Sequence, residues 1–341
     1  MGLINQLAEG ASTSFYSIAG RPLRIETGDD RVERWVTEFL SGFHLKPTLA
    51  LRAAEQSAIT LRITRGTAPT IPAGLQTFEI NQGICHTDGS RYFLLVNDSL
   101  VAVAAPETHL VEVHFGSTPT ARHPVALVNA FSYGLQAALR RAGLFDLHAA
   151  ALFDPTSNAG ALFVGASSSG KTTMTLKLAE CGWRYLSDDM VVLVDSPAGL
   201  EMAGLRRLFA VAATSLAGSN LPGICEALGD PVASDPSKRK LEPERIFQNG
   251  RTERARPRVL FFQQLTGRAE TIVEPLTPSA AMQRLVRLCP WATYDEVSAH
   301  AYLQTLARLA AQCRSYLLRA GRDLLQEPRR TADLLGSYME G

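Results

Sequence analysis

Ala161-Leu162-Phe163-Val164-Gly165-Ala166-Ser167-Ser168-Ser169-Gly170-Lys171-Thr172-Thr173 joins an apolar run to a serine-rich turn bounded by glycines. Apolar residues resume at Met174, Leu176, Leu178 and Ala179. From Gly165 to Thr172 the chain fits G-x-x-x-x-G-K-[ST] at every position. The pattern predicts a buried strand, a loop, and a helix over about residues 172–181. Each residue type has a physical task. The glycines let the backbone curl, so that the N–H groups of Gly165, Ala166, Ser167, Ser168, Ser169 and Gly170 can point inward at phosphate oxygens. The helix presents its positive end to the same anion. Lys171 can bridge the outer phosphates and the hydroxyl of Thr172 can ligate Mg²⁺, with Thr173 beside it in the first turn. The expected ligand is ATP or another nucleoside triphosphate, with Mg²⁺.

Downstream, Leu186-Ser187-Asp188-Asp189-Met190 sets two adjacent carboxylates between apolar runs. Buried acids are costly unless a metal ion, a proton or a partner relieves them. Strand alternation sends neighbouring side chains to opposite faces, so one acid can reach the loop while the other serves a nearby task. Asp195, which closes the run 190–195, is a rival for the metal, but Ser196-Pro197-Ala198-Gly199 follows it as a surface turn. Basic residues further on, Arg206, Arg207, Lys238 and Lys240, are candidates for stabilising charge on a transferring phosphate. Lys238 and Lys240 stand out because the chain has only three other lysines, Lys46, Lys171 and Lys177.

Around this segment the pattern is mixed. Residues 30–43 read as a helix and 58–64 as a strand. Residues 91–96, 100–104 and 110–115 read as an antiparallel meander, with turns at Asn97-Asp98-Ser99 and Pro106-Glu107. A helix is expected over 125–142, with Gly143 ending it. Residues 147–153 and 161–164 read as strands around a hairpin loop, and 185–194 as a further strand region. Residues 215–257 read as a long irregular loop. A buried strand at 258–265, helices at 279–288, 294–312 and 332–339, and a strand at 315–318 complete the expectation. The fold class is α/β to α+β. A break at residues 117–124 divides an N-terminal α+β accessory domain, 1–116, from a second domain, 121–341.

Composition narrows the function classes. The chain has 341 residues, 46% hydrophobic and 20% charged, with 34 Lys+Arg against 33 Asp+Glu. A formal charge of +1 argues against a nucleic-acid coat or a polybasic membrane binder. Residues 1–20 show no basic start followed by an apolar core, and no apolar run reaches the roughly 18 residues of a spanning helix. Five scattered cysteines without CxxC fit a reducing compartment. The expectation is a cytoplasmic protein with no nucleic-acid and no membrane partner. His86, His109 and His114 read as structural.

Residues 148–194 resemble the catalytic core of HPr kinase/phosphorylase and its relatives. The likeness rests on His148 ahead of the loop, the Ser167-bearing loop with Gly170-Lys171-Thr172, the link Gly182-Trp183-Arg184-Tyr185, and Leu186-Ser187-Asp188-Asp189. It is similar also to bacterial HPr-kinase-like proteins of biosynthetic clusters, some of which phosphorylate a peptide's terminal serine. The resemblance implies a core akin to phosphoenolpyruvate carboxykinase rather than a doubly wound P-loop sheet. It implies that Asp188 is the base that draws the proton from an acceptor hydroxyl, that Asp189 lies nearer the metal with Thr172, and that His148 stands near the transferred phosphate. The sequence departs from the family at three points. Ser168 stands at the loop's central glycine, with Thr172 for the family's final Ser. The phosphorylase signature around Gly-Arg-Asn is missing, Gly321-Arg322-Asp323-Leu324 being a near match in another setting. Residues 1–120 do not look like the usual leading domain.

The expected activity is ATP- and Mg²⁺-dependent transfer of the γ-phosphate to a hydroxyl, with Lys171, Asp188 and His148 as catalytic residues. The acceptor implied is Ser or Thr of a peptide or small protein. A small-molecule kinase on the same core and a non-catalytic nucleotide-binding regulator are the alternatives. The family tends to assemble, so a homo-oligomer is compatible with the resemblance.

Overall fold

A computed structural model describes residues 11–48, 58–80, 83–96, 99–104, 108–116, 124–216 and 221–340. The chain is mixed α/β with several sheets, and forms two compact units. One is Met1–Leu144 with Tyr294–Ala299; the other is Phe145–Thr293 with His300–Gly341.

The first unit is built on a nine-stranded sheet. Its strands are β1 (Ser12–Ile18), β2 (Arg21–Thr27), β3 (Lys46–Pro47), β4 (Ile59–Arg65), β5 (Gln76–Ile80), β6 (Gly83–Thr87), β7 (Tyr92–Val96), β8 (Ser99–Val103) and β9 (Leu110–Phe115). Their order is β3-β1-β2-β4-β9-β8-β7-β6-β5. β4 runs parallel to β2 and β9, with Leu61 opposite Ile25 and Val111, and the other pairs are antiparallel. Helix α1 (Asp30–Leu40) starts where Asp29 accepts from the N–H groups of Arg31 and Val32, each at 2.9 Å. Helix α2 (Pro124–Arg141) lies against β4, β8 and β9, with Phe131 edge-on to Phe115 at 5.0 Å. The expected helices and the meander β7-β8-β9 are present. The turns expected at Asn97-Asp98 and Pro106-Glu107, and the break at 117–123, lie outside the described residues. The sequence assigns α2 to the second domain. The compact units divide instead after Leu144, because the apolar face of α2 is covered by the first sheet.

At the end of α2, Arg140 and Arg141 are drawn inward by an acid from far along the chain. Arg141 Nη1 donates to Asp295 Oδ1 at 2.8 Å, across 154 residues, and Arg140 Nε stands 3.7 Å from Asp295 Oδ2. Arg140 also donates to the Tyr92 hydroxyl at 3.2 Å. All four residues belong to the first unit.

The second unit contains three sheets. In chain order its elements begin with β10 (Phe145–Leu147), β11 (Ala149–Asp154), β12 (Ala159–Val164), α3 (Lys171–Glu180), β13 (Arg184–Ser187), β14 (Val191–Ser196), β15 (Gly199–Gly204) and β16 (Phe209–Ala212). Then come α4 (Ile224–Ala227), β17 (Leu228–Val232), β18 (Asp235–Leu241), β19 (Arg254–Ala255), β20 (Pro257–Leu265), β21 (Ile272–Leu276), α5 (Pro278–Leu288) and α6 (Trp291–Tyr294). Last are α7 (Glu296–Gln312), β22 (Arg314–Ala320), α8 (Asp323–Gln326) and α9 (Pro328–Ser337). The sheets run β13-β11-β12-β20-β22-β21, β10-β14-β15-β19 and β16-β18-β17.

Helix α3 is gripped from two sides. Met174 and Leu178 pack with Phe163, Phe261, Leu318 and Leu335, while Leu176 packs with Tyr185, Phe209, Val211 and Leu241. Phe163 and Phe261 stack at 5.1 Å and are fully buried, each such burial contributing about 1.5–3 kcal/mol. Apolar residues all round a helix mark it as an interior one.

Residues 215–257, expected as an irregular loop, contain the β17–β18 hairpin, which forms a three-stranded sheet with β16. Its strand Asp235–Leu241 is charged and exposed, so no apolar alternation betrays it. β1, β2, β5, β6 and β21 also lack a counterpart in the sequence expectation. Among the described residues no helix is long and apolar enough to cross a membrane. All five cysteines are free, and burial pushes Cys85, Cys289 and Cys313 up to about 12, which leaves them as inert thiols.

Candidate functional site

The site forms where two chain segments pass from one sheet to another. β10 pairs with β14 in the four-stranded sheet, and β11 pairs with β13 in the six-stranded one. The antiparallel register is the same on both sides of the passage, Leu147 opposite Val191 and Ala151 opposite Ser187. His148 lies at one crossing and Asp188-Asp189 at the other. The shared register brings them face to face, with His148 Nδ1 at 3.2 Å from Asp189 Oδ1.

The glycine-rich loop leaves β12 and enters α3 at Lys171. Gly170 caps the helix at φ 91°, a left-handed conformation that a side chain disfavours. Ser168 adopts φ 63° without that freedom, at the position where the resembled family carries glycine. Lys171 is 6% exposed, and its ammonium donates to the carbonyls of Gly165 at 2.9 Å and Ala166 at 3.0 Å.

One contact joins the loop to the acids. Thr172 Oγ1 donates to Asp188 Oδ2 at 2.8 Å. Asp188 is 1% exposed, also accepts from the backbone N–H of Ala210 in β16, and keeps Oδ1 without a partner. Next in the turn, Thr173 Oγ1 donates to Ser215 Oγ at 2.8 Å. Ala210 and Ser215 thus tether the β16 region to both the acid and the helix start, and neither was marked by any sequence motif.

The electrostatics are strained in a consistent way. Burial, then the charge of Asp189, pushes Asp188 upward from the usual carboxylate range. Burial lowers Lys171, opposed by Asp189 and Asp188 and reinforced by Lys238. Burial lowers His148 too, with Asp189 opposing and Lys171 and Arg206 reinforcing, so its imidazole is neutral at pH 7. Perturbed groups gathered at one place are a mark of functional sites.

The other sequence candidates separate. Arg206 acts on both His148 and Asp188 through its charge. Lys238 lies on β18 opposite Ala212, between the Ala210 and Ser215 tethers, and its charge is felt at Lys171. Arg207 is paired with Glu242, and Lys240 lies opposite Ala210. Asp195 is exposed and pairs with Arg308. Asp323, in the near match to the phosphorylase signature, accepts from Thr271 N at 2.8 Å and Thr271 Oγ1 at 2.6 Å, which is a structural turn. His86 and His114 meet Thr77 and Thr64 at 3.1 and 3.0 Å, as structural histidines do.

The resemblance implies Asp188 for the acceptor proton and Asp189 for the metal side. In the structure Asp188 lies against Thr172, and Asp189, half-exposed, against His148. The donor set suits Mg²⁺. Thr172 and Asp188 supply hard oxygens, the orphaned Oδ1 of a buried carboxylate calls for a cation, and Mg²⁺ usually takes one or two carboxylates plus phosphate.

No family model matches the sequence, and no curated protein matches it.

Proposed function

We propose that the second unit is an HPr-kinase-like phosphotransferase core that moves the γ-phosphate of ATP to a hydroxyl, Ser or Thr of a peptide or small protein. The observation that carries this reading is the bond from Thr172 to Asp188, which ties the glycine-rich loop to the acidic doublet in one site.

On this reading the loop N–H groups and the start of α3 hold the phosphates. Lys171 exchanges its two loop carbonyls for phosphate oxygens. Thr172 and Asp188 hold Mg²⁺. When bound, the ion neutralises charge that gathers between the β- and γ-phosphates. Asp189 faces the acceptor and takes its proton as the new O–P bond forms and the bond from phosphorus to the bridging β–γ oxygen breaks, with ADP leaving. His148, neutral and 3.2 Å away, orients that carboxylate. The transition state is loose, so positive charge from Lys171, Arg206 and Lys238 does most of the work. The roles of Asp188 and Asp189 are therefore exchanged relative to the sequence expectation.

Incubation with γ-labelled ATP, Mg²⁺ and a fractionated cell extract tests this. Label is expected on a peptide or protein hydroxyl, and Lys171→Met is expected to cut transfer by about a hundredfold or more. Label only on a metabolite makes the acceptor a small molecule. ATP binding without transfer makes the protein a nucleotide-dependent regulator, and wild-type transfer surviving in Lys171→Met removes the loop from the reaction.

A further inference from the structure

Gln263 lies in β20, one position beyond Phe262, the last residue of that strand in register with β12. The two strands are parallel, so their carboxyl ends emerge side by side, and Gln263 arrives level with Gly165. It is 2% exposed, whereas the next residue, Gln264, is exposed. Neither end of the Gln263 amide has a partner, and both Nε2 and Oε1 are shut away from solvent. Ser169 Oγ, in the loop, is buried and unpartnered as well. A Cβ on Gly170 would fall 3.1 Å from Gln263 Nε2, and one on Gly165 would fall 2.5 Å from Ser169 Oγ. These orphaned atoms are therefore pressed against the two glycines that frame the loop.

Packing does not ask for an amide here. Val259, Leu260, Phe261 and Phe262 precede it in the same strand and are buried apolar residues. An unpaired buried amide costs stability that an apolar side chain of the same shape would avoid. A polar group kept at that cost against a phosphate-type loop has a use the fold alone does not supply.

We infer that Gln263 contacts the terminal phosphate of the bound triphosphate and lets the loop distinguish a triphosphate from a diphosphate. This rests on the reading of the loop as a nucleotide site. The orientation follows from donor and acceptor chemistry. A phosphate only accepts, so the amide presents its Nε2–H groups to it. That leaves Oε1 for a donor, and the unpartnered hydroxyl of Ser169 in the same loop is a candidate. A hydrogen bond to a charged acceptor is stronger than one between neutral groups, which gives the contact leverage on affinity.

The test is titration of wild-type protein, Gln263→Met and Gln263→Glu with Mg·ADP and with the Mg complex of an ATP analogue carrying a non-hydrolysable imido link. The Met variant should lose about tenfold or more in analogue affinity while its ADP affinity changes by less than about twofold. Its melting temperature without nucleotide should equal or exceed that of wild type. The Glu variant, of the same shape as Gln, should weaken the analogue further, and it carries the test if the Met variant folds poorly. Equal losses for both nucleotides would mean that Gln263 only shapes the loop, and unchanged affinities would mean that it touches nothing bound; either result overturns the inference. Wild-type protein that binds neither nucleotide overturns the loop reading and the inference together.

Discussion

In the first unit Asp295 stands between Arg140 and Arg141; in the second, Asp188 stands beside Asp189, and the charge of Lys171 is pressed by that of Lys238. Both clusters bury charge, but the first joins opposite signs in direct ion pairs, whereas in the second Lys171 donates to the loop carbonyls and Asp188 accepts from Thr172. The first sets one carboxylate between two guanidinium groups and ties distant segments together, which is what a fold asks of buried ions. Both leave buried polar atoms without a hydrogen-bond partner: Asp295 Oδ2 and Arg141 Nε and Nη2 in the first, and Asp188 Oδ1, Ser169 Oγ and the Gln263 amide in the second. What sets the second apart is that its shifted groups, Asp188, Lys171 and His148, gather beside a glycine-rich loop, a mark of functional sites.

The contrast can be broken at either end. Asp295→Ala should cost the most, about 3–5 kcal/mol, because it strands two buried guanidinium groups, and chemical denaturation of the purified protein would measure it. A loss under 1 kcal/mol would erase the distinction. Asp188→Asn should act with the opposite sign. Its carboxyl is pushed upward, so the folded protein keeps a proton that the unfolded chain has already released between the ordinary carboxylate value and the raised one. Wild-type stability therefore falls as pH rises through that window, whereas the Asn variant escapes the loss. In EDTA the variant should melt above wild type at pH 8, by about 1–3 kcal/mol of stability, and the gap should close toward pH 4. A variant less stable than wild type at pH 8 would make Asp188 a fold-building residue like Asp295. The smallest effect belongs to Ser168→Gly. Relief of its left-handed backbone, φ 63°, should add about 0.5–1 kcal/mol, read from the same denaturation curves.

What could be read from the sequence was what local chemistry dictates. Gly165, Gly170, Lys171 and Thr172 declare their loop because its backbone geometry is set within eight residues. Asp188-Asp189 stands out because paired acids are rare between apolar strands. The apolar run at 258–265 announces β20 as a buried strand, yet Gln263 gains its meaning only from the parallel pairing with β12, which no local pattern reveals. The β17–β18 hairpin escaped notice because Asp235–Leu241 is held by pairing rather than by an apolar face. Which of Asp188 and Asp189 meets Thr172 and which meets His148 likewise depends on long-range pairing, since adjacent residues on a strand differ only in which side they face. Domain membership of α2 was hidden for the same reason: the strands that cover it precede it in the chain, but the acid that holds its end comes 154 residues later.

That last separation matters for how the protein is made. A ribosome extrudes the chain from its amino end, and domains ordinarily fold as they emerge. Here Arg140 and Arg141 leave the exit tunnel long before Asp295 is translated. The amino-terminal unit must wait, part-assembled, through the synthesis of residues 145–293 of the second unit before the carboxylate of Asp295 arrives.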